Sequence, residues 1–218
     1  MMQTGIPLRR PIRAVVSCLT ACLLLMGCEE QAQQPRVTAA RQCDDTLSSD
    51  AARALETVLR TKKLDDAPTG GLARTEGQLI EDYGQRERRS QDRPMCRPAS
   101  SGGMGRVAIR FGLYRDDDLF GNIRVRGLHP YAMGREARSG PEKAYLFVMC
   151  ASPRLQGSDR TPARIMGTLT VDKSKLPDTV AVREANLTVL HSVTLAVVKR
   201  LGCENNAGLT DKPVFKPG

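Results

Sequence analysis

The sequence predicts an α+β domain in which about four strands form a mainly antiparallel sheet and helices pack on one face of it. Two observations carry this prediction. Strand patterns follow one another through the middle of the chain, between residues 107 and 171, and helical patterns lie on either side of them. Consecutive strands flanked by helices are typical of an antiparallel sheet with segregated helices.

Three helices are predicted. Ser48, Ser49 and Asp50 are N-cap candidates for a first helix, in which apolar residues of 51–59 share one face. Residues 72–90 carry a second, weaker helical pattern that two glycines interrupt. The longest pattern covers about 185–201 and ends before Gly202, a residue typical of a helix C-terminus.

Four strands are predicted between these helices. Residues 107–114 alternate apolar and polar, and after the acidic turn Asp116–Asp118 residues 122–126 alternate again, which predicts a hairpin. Residues 144–150 are apolar on both faces and predict a central strand, and 165–171 predict the fourth. The segments 90–105 and 127–141 are predicted loops.

The N-terminal sequence is typical of an export signal. Arg9, Arg10 and Arg13 precede an almost wholly apolar run over residues 14–27, and Glu29 closes the run. That run is shorter than the roughly 20 apolar residues a membrane-spanning helix needs. Residues 25–28, LMGC, resemble the lipobox of bacterial lipoproteins, in which the chain is cut before the cysteine and the thiol carries a diacylglycerol. An ordinary cleaved signal and an uncleaved anchor are the alternatives.

The resemblance implies that Cys28 is the lipidated N-terminal residue and that the protein is held at the outer face of the cytoplasmic membrane. Residues 1–27 are then the signal peptide. Residues 28–42 are polar enough to predict a flexible tether, and 43–218 a single extracytoplasmic domain.

The composition of the chain limits which classes of partner are expected. Without the leader the chain has 30 basic and 24 acidic residues, a net charge of +6 that favours anionic surfaces such as phospholipid head groups or wall polymers. Nucleic acid is not expected outside the cell. Aromatic residues make up 4% of the chain and tryptophan is absent, which disfavours sugar-stacking platforms. The 25 arginines among 33 basic residues fit codon bias in a GC-rich genome. Together with the lipobox-like residues 25–28, the chain looks like an actinobacterial lipoprotein, which implies a location but no activity.

The cysteines predict two disulfides. Of seven cysteines, two leave with the leader and Cys28 carries lipid, so Cys43, Cys96, Cys150 and Cys203 remain. Four cysteines allow three pairings, of which we predict Cys43–Cys96 and Cys150–Cys203. The first would join the opening helix to the segment leading into the sheet, and the second a central strand to the last helix. The spacings lack the paired ligands of a zinc site.

Catalytic and metal motifs are sparse. The two histidines, His129 and His191, are predicted at the surface or a helix boundary, and no G-x-S-x-G elbow occurs. Asp116–Asp118 could offer oxygens to calcium but lack the EF-hand pattern. The glycines at 102, 103 and 105 precede a strand, whereas phosphate-binding glycines follow one. No catalytic residue, metal or cofactor is predicted.

The predicted hairpin would place Arg110, Arg124 and Arg126 on one outer face. The same pattern fits the solvated side of a half-exposed sheet. We therefore predict a membrane-anchored, non-enzymatic binding module with an arginine face for an anionic envelope polymer or a protein partner. The alternatives are a small enzyme acting on envelope material, marked by a pocket joining a histidine with acids, and a transporter-linked binding protein, marked by a cleft between two lobes.

Overall fold

The computed structural model describes residues 38–85, 91–103, 105–172 and 175–216. The predicted signal peptide, Cys28 and the tether up to residue 37 lie outside these residues. Six antiparallel strands form one sheet in the order β1-β2-β6-β5-β4-β3. The strands are β1 Arg93–Cys96, β2 Arg106–Leu113, β3 His129–Tyr131, β4 Glu136–Ser139, β5 Lys143–Cys150 and β6 Ala163–Asp172.

Four helices pack against this sheet, which confirms the predicted α+β class. They are α1 Gln42–Asp45, α2 Ser49–Leu59, α3 Gly71–Gly84 and α4 Val180–Leu201. Helix α4 contacts the central strands β5 and β6, α3 contacts β1 and β2, and α2 packs on α4. Three short 3-10 turns lie at Ala39–Arg41, Asp116–Asp118 and Glu204–Gly208.

Side-chain caps and one glycine set the helix ends. The Ser48 hydroxyl accepts a hydrogen bond from the Ala51 amide at 3.2 Å, as expected of an N-cap. The Thr179 hydroxyl accepts from the Val182 amide at 3.3 Å, so α4 begins about five residues before the predicted start. Gly202 ends α4 in the left-handed conformation, with φ of 69°.

The strand predictions miss three strands and include one that does not form. Strands β1, β3 and β4 lie within predicted loops, and they are short, with Pro94 in β1 and Pro130 in β3. Residues 122–126 form no strand. The predicted hairpin is therefore wrong: β2 pairs with β1 on one side and with β6 on the other, so neither edge is free for a return strand.

Both predicted disulfides are confirmed. The Cα atoms of Cys43 and Cys96 are 5.1 Å apart, and those of Cys150 and Cys203 are 5.0 Å apart. The first bridge joins α1 to the edge strand β1. The second joins the end of β5 to the residue after the α4 C-terminal cap.

The folded chain extends N-terminal of Cys43, into residues expected to belong to the tether, because Ala39 and Gln42 are buried. Asp44 in α1 also fixes the start of α3. Its carboxylate accepts hydrogen bonds from the Gly70 amide at 2.8 Å and the Leu72 amide at 2.6 Å. Gly71 is required there, because a Cβ on it would lie 1.9 Å from the Met95 carbonyl oxygen.

The two faces of the sheet are covered by different parts of the chain. The helix-facing side chains of β2, β5 and β6 join α4 in the hydrophobic core. On the opposite face, the segment between β2 and β3 covers Phe147, which is fully buried. Phe120 of that segment meets the rings of Tyr145 and Phe147 edge-on, at centroid distances of 5.2 and 6.2 Å. The other end of this face, near the start of β2, is open.

Candidate anion-binding cleft

A cleft of about 320 Å³ lies on the open end of the helix-free face. It is formed where β2 begins, β6 ends and β5 begins, together with Arg97 after β1 and Glu142 before β5. Its lining consists of Arg97, Arg106, Ala108, Arg110, Glu142, Lys143, Thr170, Val171 and Asp172. We refer to this set as the basic cleft.

The strand register explains why these side chains share one face. Arg106, Ala108 and Arg110 alternate along β2, with Thr170 opposite Ala108 on β6 and Lys143 opposite Thr170 on β5. At ordinary strand dimensions the Cα atoms of Arg106 and Arg110 are about 13 Å apart, and Lys143 is about 10 Å from Ala108 across two strands. Small side chains thus form the floor between longer cationic ones.

The charges of the basic cleft are unbalanced. Arg97, Arg106, Arg110 and Lys143 oppose Glu142 and Asp172, both of which are exposed. Within the described part of the chain, none of the four cations forms an ion pair with a carboxylate. Arg97, Arg106 and Lys143 are exposed, so their donors remain available to a ligand that enters the cleft.

Two buried polar atoms beside the floor lack hydrogen-bond partners. The Nε of Arg110 and the Oγ1 of Thr168 are both buried and unpaired, and the two residues face each other across β2 and β6. Thr168 is only 8% exposed. A buried donor without a partner costs about 1–3 kcal/mol, so such atoms call for an explanation. The Arg110 Nε–H could donate to an anion in the cleft only after the side chain moves, because this atom has almost no contact with solvent.

Asp92, which does not line the cleft, interacts electrostatically with Arg110. Burial raises the pKa of Asp92, the positive charge of nearby Arg110 lowers it, and the negative charge of Asp118 raises it, with a net upward shift. Asp92 therefore protonates at a higher pH than an ordinary aspartate. When Asp92 is protonated and neutral, Arg110 has one negative neighbour fewer, and it attracts an anion more strongly.

The structure separates the three predicted arginines. Arg110 lines the basic cleft, whereas Arg124 and Arg126 are exposed in the segment between β2 and β3 and do not line it. The failed hairpin removes the pairing expected to bring them together. Sequence reasoning missed the roles of Arg97 and Lys143. Lys143 stands at the start of a recognisable strand, but only the β5–β6 register reveals that it faces Arg106 and Arg110.

The histidines belong to other parts of the molecule. His129 lies 3.3 Å from the Asp178 carboxylate, which also pairs with Arg183 at 2.5 Å. His191 is 2% exposed, so its predicted surface position is wrong: it faces the segment after α4, and the backbone of Thr210 hydrogen-bonds to it. Burial lowers the pKa of His191, and the Thr210 hydrogen bond and Asp211 charge raise it less. Neither histidine lines the basic cleft or two other open cavities, of about 490 Å³ at α3 and about 450 Å³ at the end of α2.

The acidic turn is engaged in protein contacts. Asp116 pairs with Arg164 at 2.9 Å, and the Asp118 carboxylate accepts from the Arg115 amide at 2.8 Å. Across the described residues, no three His, Cys, Asp or Glu side chains are grouped so that they could hold a metal ion.

The chain matches no family model, no curated protein and no solved structure. No helix within the described ranges is long and apolar enough to cross a bilayer. Any function of the basic cleft must therefore be inferred from its own geometry.

Proposed function

We propose that the protein is a lipid-anchored module on the outer face of the cytoplasmic membrane and that its basic cleft binds an anionic ligand, without catalysis. The observation that carries the binding function is the set of four unpaired cations around a floor of small residues, with the Arg110 Nε buried and unpartnered. The lipobox-like residues 25–28 support the location.

The size and chemistry of the cleft favour a small oxyanion group. Its volume of about 320 Å³ is at the lower end of the range typical of ligand sites. Guanidinium groups suit the planar, two-oxygen edge of a phosphate or carboxylate. The exposed carboxylates of Glu142 and Asp172 border the site and would repel an anion too large to stay between the cations. Phosphate groups of envelope polymers have the required chemistry.

The test uses inorganic pyrophosphate as the probe and isothermal titration calorimetry as the measurement. R106Q/R110Q/K143Q removes three cleft charges and should weaken binding at least tenfold. R124Q/R126Q/R160Q removes three exposed charges outside the cleft lining and should change affinity less than twofold. Equal losses of affinity in both variants would show that binding depends on net charge and not on the cleft. Undetectable binding of pyrophosphate to the wild type would refute the proposed ligand class.

The location is tested separately on protein expressed with its own leader. Intact-mass analysis should show a chain that begins at Cys28 and carries acyl groups. An unmodified Cys28 or a retained leader would contradict the lipoprotein assignment and leave the cleft proposal standing.

A further inference from the structure

Residues 123–126 present apolar and cationic side chains together on the surface. Their sequence is Ile-Arg-Val-Arg, and all four residues are exposed. Ile123 is 66% exposed and Val125 is 38% exposed, and they account for two of the five large exposed apolar residues of the described chain. No acid occurs between Asp118 and Glu136, so the segment is purely cationic.

The segment is held firmly at its N-terminal side. Phe120 packs edge-on against Tyr145 and Phe147, and the Arg138 guanidinium lies 5.7 Å from the Phe120 ring centre. The Gly121 amide donates to the Glu136 carboxylate at 3.3 Å, and the Gly121 carbonyl accepts from Arg138. Arg138 and Glu136 pair at 2.8 Å and are themselves nearly buried, so the anchor belongs to the sheet.

The C-terminal side is held as well. The Leu128 amide donates to the Val125 carbonyl at 3.1 Å and closes a turn. Gly127 packs so close to Gly140 that a Cβ on Gly140 would lie 1.9 Å from the Gly127 carbonyl oxygen. With both sides fixed, Ile123 and Val125 stay in solvent although Phe120, only three residues away from Ile123, is packed onto the sheet.

We propose that residues 123–126 dock the domain on an anionic phospholipid bilayer. Ile123 and Val125 enter the boundary between head groups and acyl chains, and Arg124 and Arg126 bind lipid phosphates while their aliphatic stems extend the apolar contact. Charge complementarity selects this occupant, since arginine side chains close to an anionic membrane surface are attracted to it. Because contacts on both sides fix the backbone of this segment, binding does not have to order the backbone.

This inference rests on the proposed membrane location but not on the ligand of the basic cleft. The chain from Cys28 to Thr38 spans at most about 36 Å when it is fully extended. A lipid-anchored domain on so short a tether meets the bilayer repeatedly. The docking segment would set which surface of the domain faces the membrane.

The test exploits the absence of tryptophan from the chain. Full-length I123W is reconstituted into vesicles of phosphatidylcholine with about 30% phosphatidylglycerol, with and without brominated acyl chains that quench nearby tryptophan. V214W is the matched control, because Val214 is similarly exposed at 49% and belongs to another part of the chain. Tryptophan quenching in I123W should exceed that in V214W at least twofold. It should fall to the control level when R124Q/R126Q is added to I123W, or in pure phosphatidylcholine.

Equal quenching in I123W and V214W would overturn the proposal, as would quenching in I123W that is independent of the anionic lipid. Failure of the lipid anchor is distinguishable, because the whole protein would then leave the vesicles in a flotation assay, whichever of the two substitutions it carried.

Discussion

Glu76 shows how a single buried acid links three parts of the fold. It is 7% exposed, it accepts a hydrogen bond from Arg200 of α4 at 2.7 Å, and it pairs with Arg154 of the β5–β6 connection. Burial by itself would raise the pKa of Glu76, but the Arg200 hydrogen bond and the charges of Arg154 and Arg200 outweigh it, so its pKa is lowered. The ionised form therefore stabilises the folded state.

The variant E76Q should lower the free energy of unfolding by about 2 kcal/mol at pH 7, because the neutral amide lacks the negative charge that pairs with Arg154 and Arg200. The stabilising contribution is present above the ordinary pKa of 4.5 and disappears as the pH falls through the lowered folded-state value. Urea unfolding at pH 7 and pH 3 measures the difference, which should shrink at pH 3. The exposed neighbour variant E81Q is the control, and an E76Q loss that equals the E81Q loss at both pH values would contradict the role of Glu76.

At the scale of elements, the sequence identifies the long ones. The strands β2, β5 and β6 and the helices α2, α3 and α4 each have eight or more residues, and the sequence predicts all of them. The short strands β1, β3 and β4 have three or four residues each, too few for a period to show, and the two at the sheet edges, β1 and β3, contain proline. Residues 122–126 alternate as a strand would, yet tertiary pairing gives both edges of β2 to other partners.

The disulfides also act on elements, and both close loops of 53 residues in sequence separation. If they act mainly by restricting the unfolded chain, each should contribute about 4 kcal/mol. C43A/C96A and C150A/C203A should therefore lose similar free energies of unfolding in guanidinium titrations under oxidising conditions. A loss below about 1 kcal/mol in either variant would show that the bridge does not constrain the unfolded chain as its loop length predicts.

At the scale of the whole molecule, the helices pack on one face of the sheet only. The two ends of the other face differ. One end is covered by the Phe120 segment, and the other holds the basic cleft. Sequence reasoning identified Arg110 and a cationic surplus but not the cleft, because Arg97, Arg106 and Lys143 come together only through the pairing of β1, β2, β6 and β5. Strand register depends on contacts between distant residues, which a single sequence does not display.

The most direct test of the anion-binding proposal follows the Arg110 Nε–H itself. Nitrogen-15 correlation spectra that resolve arginine Nε–H groups, assigned with R110K, are recorded during titration with inorganic pyrophosphate. We predict that the Arg110 Nε–H signal moves, whereas the Arg124 and Arg126 signals stay in place. An Arg110 signal that remains unchanged at saturating pyrophosphate would contradict anion binding in the basic cleft.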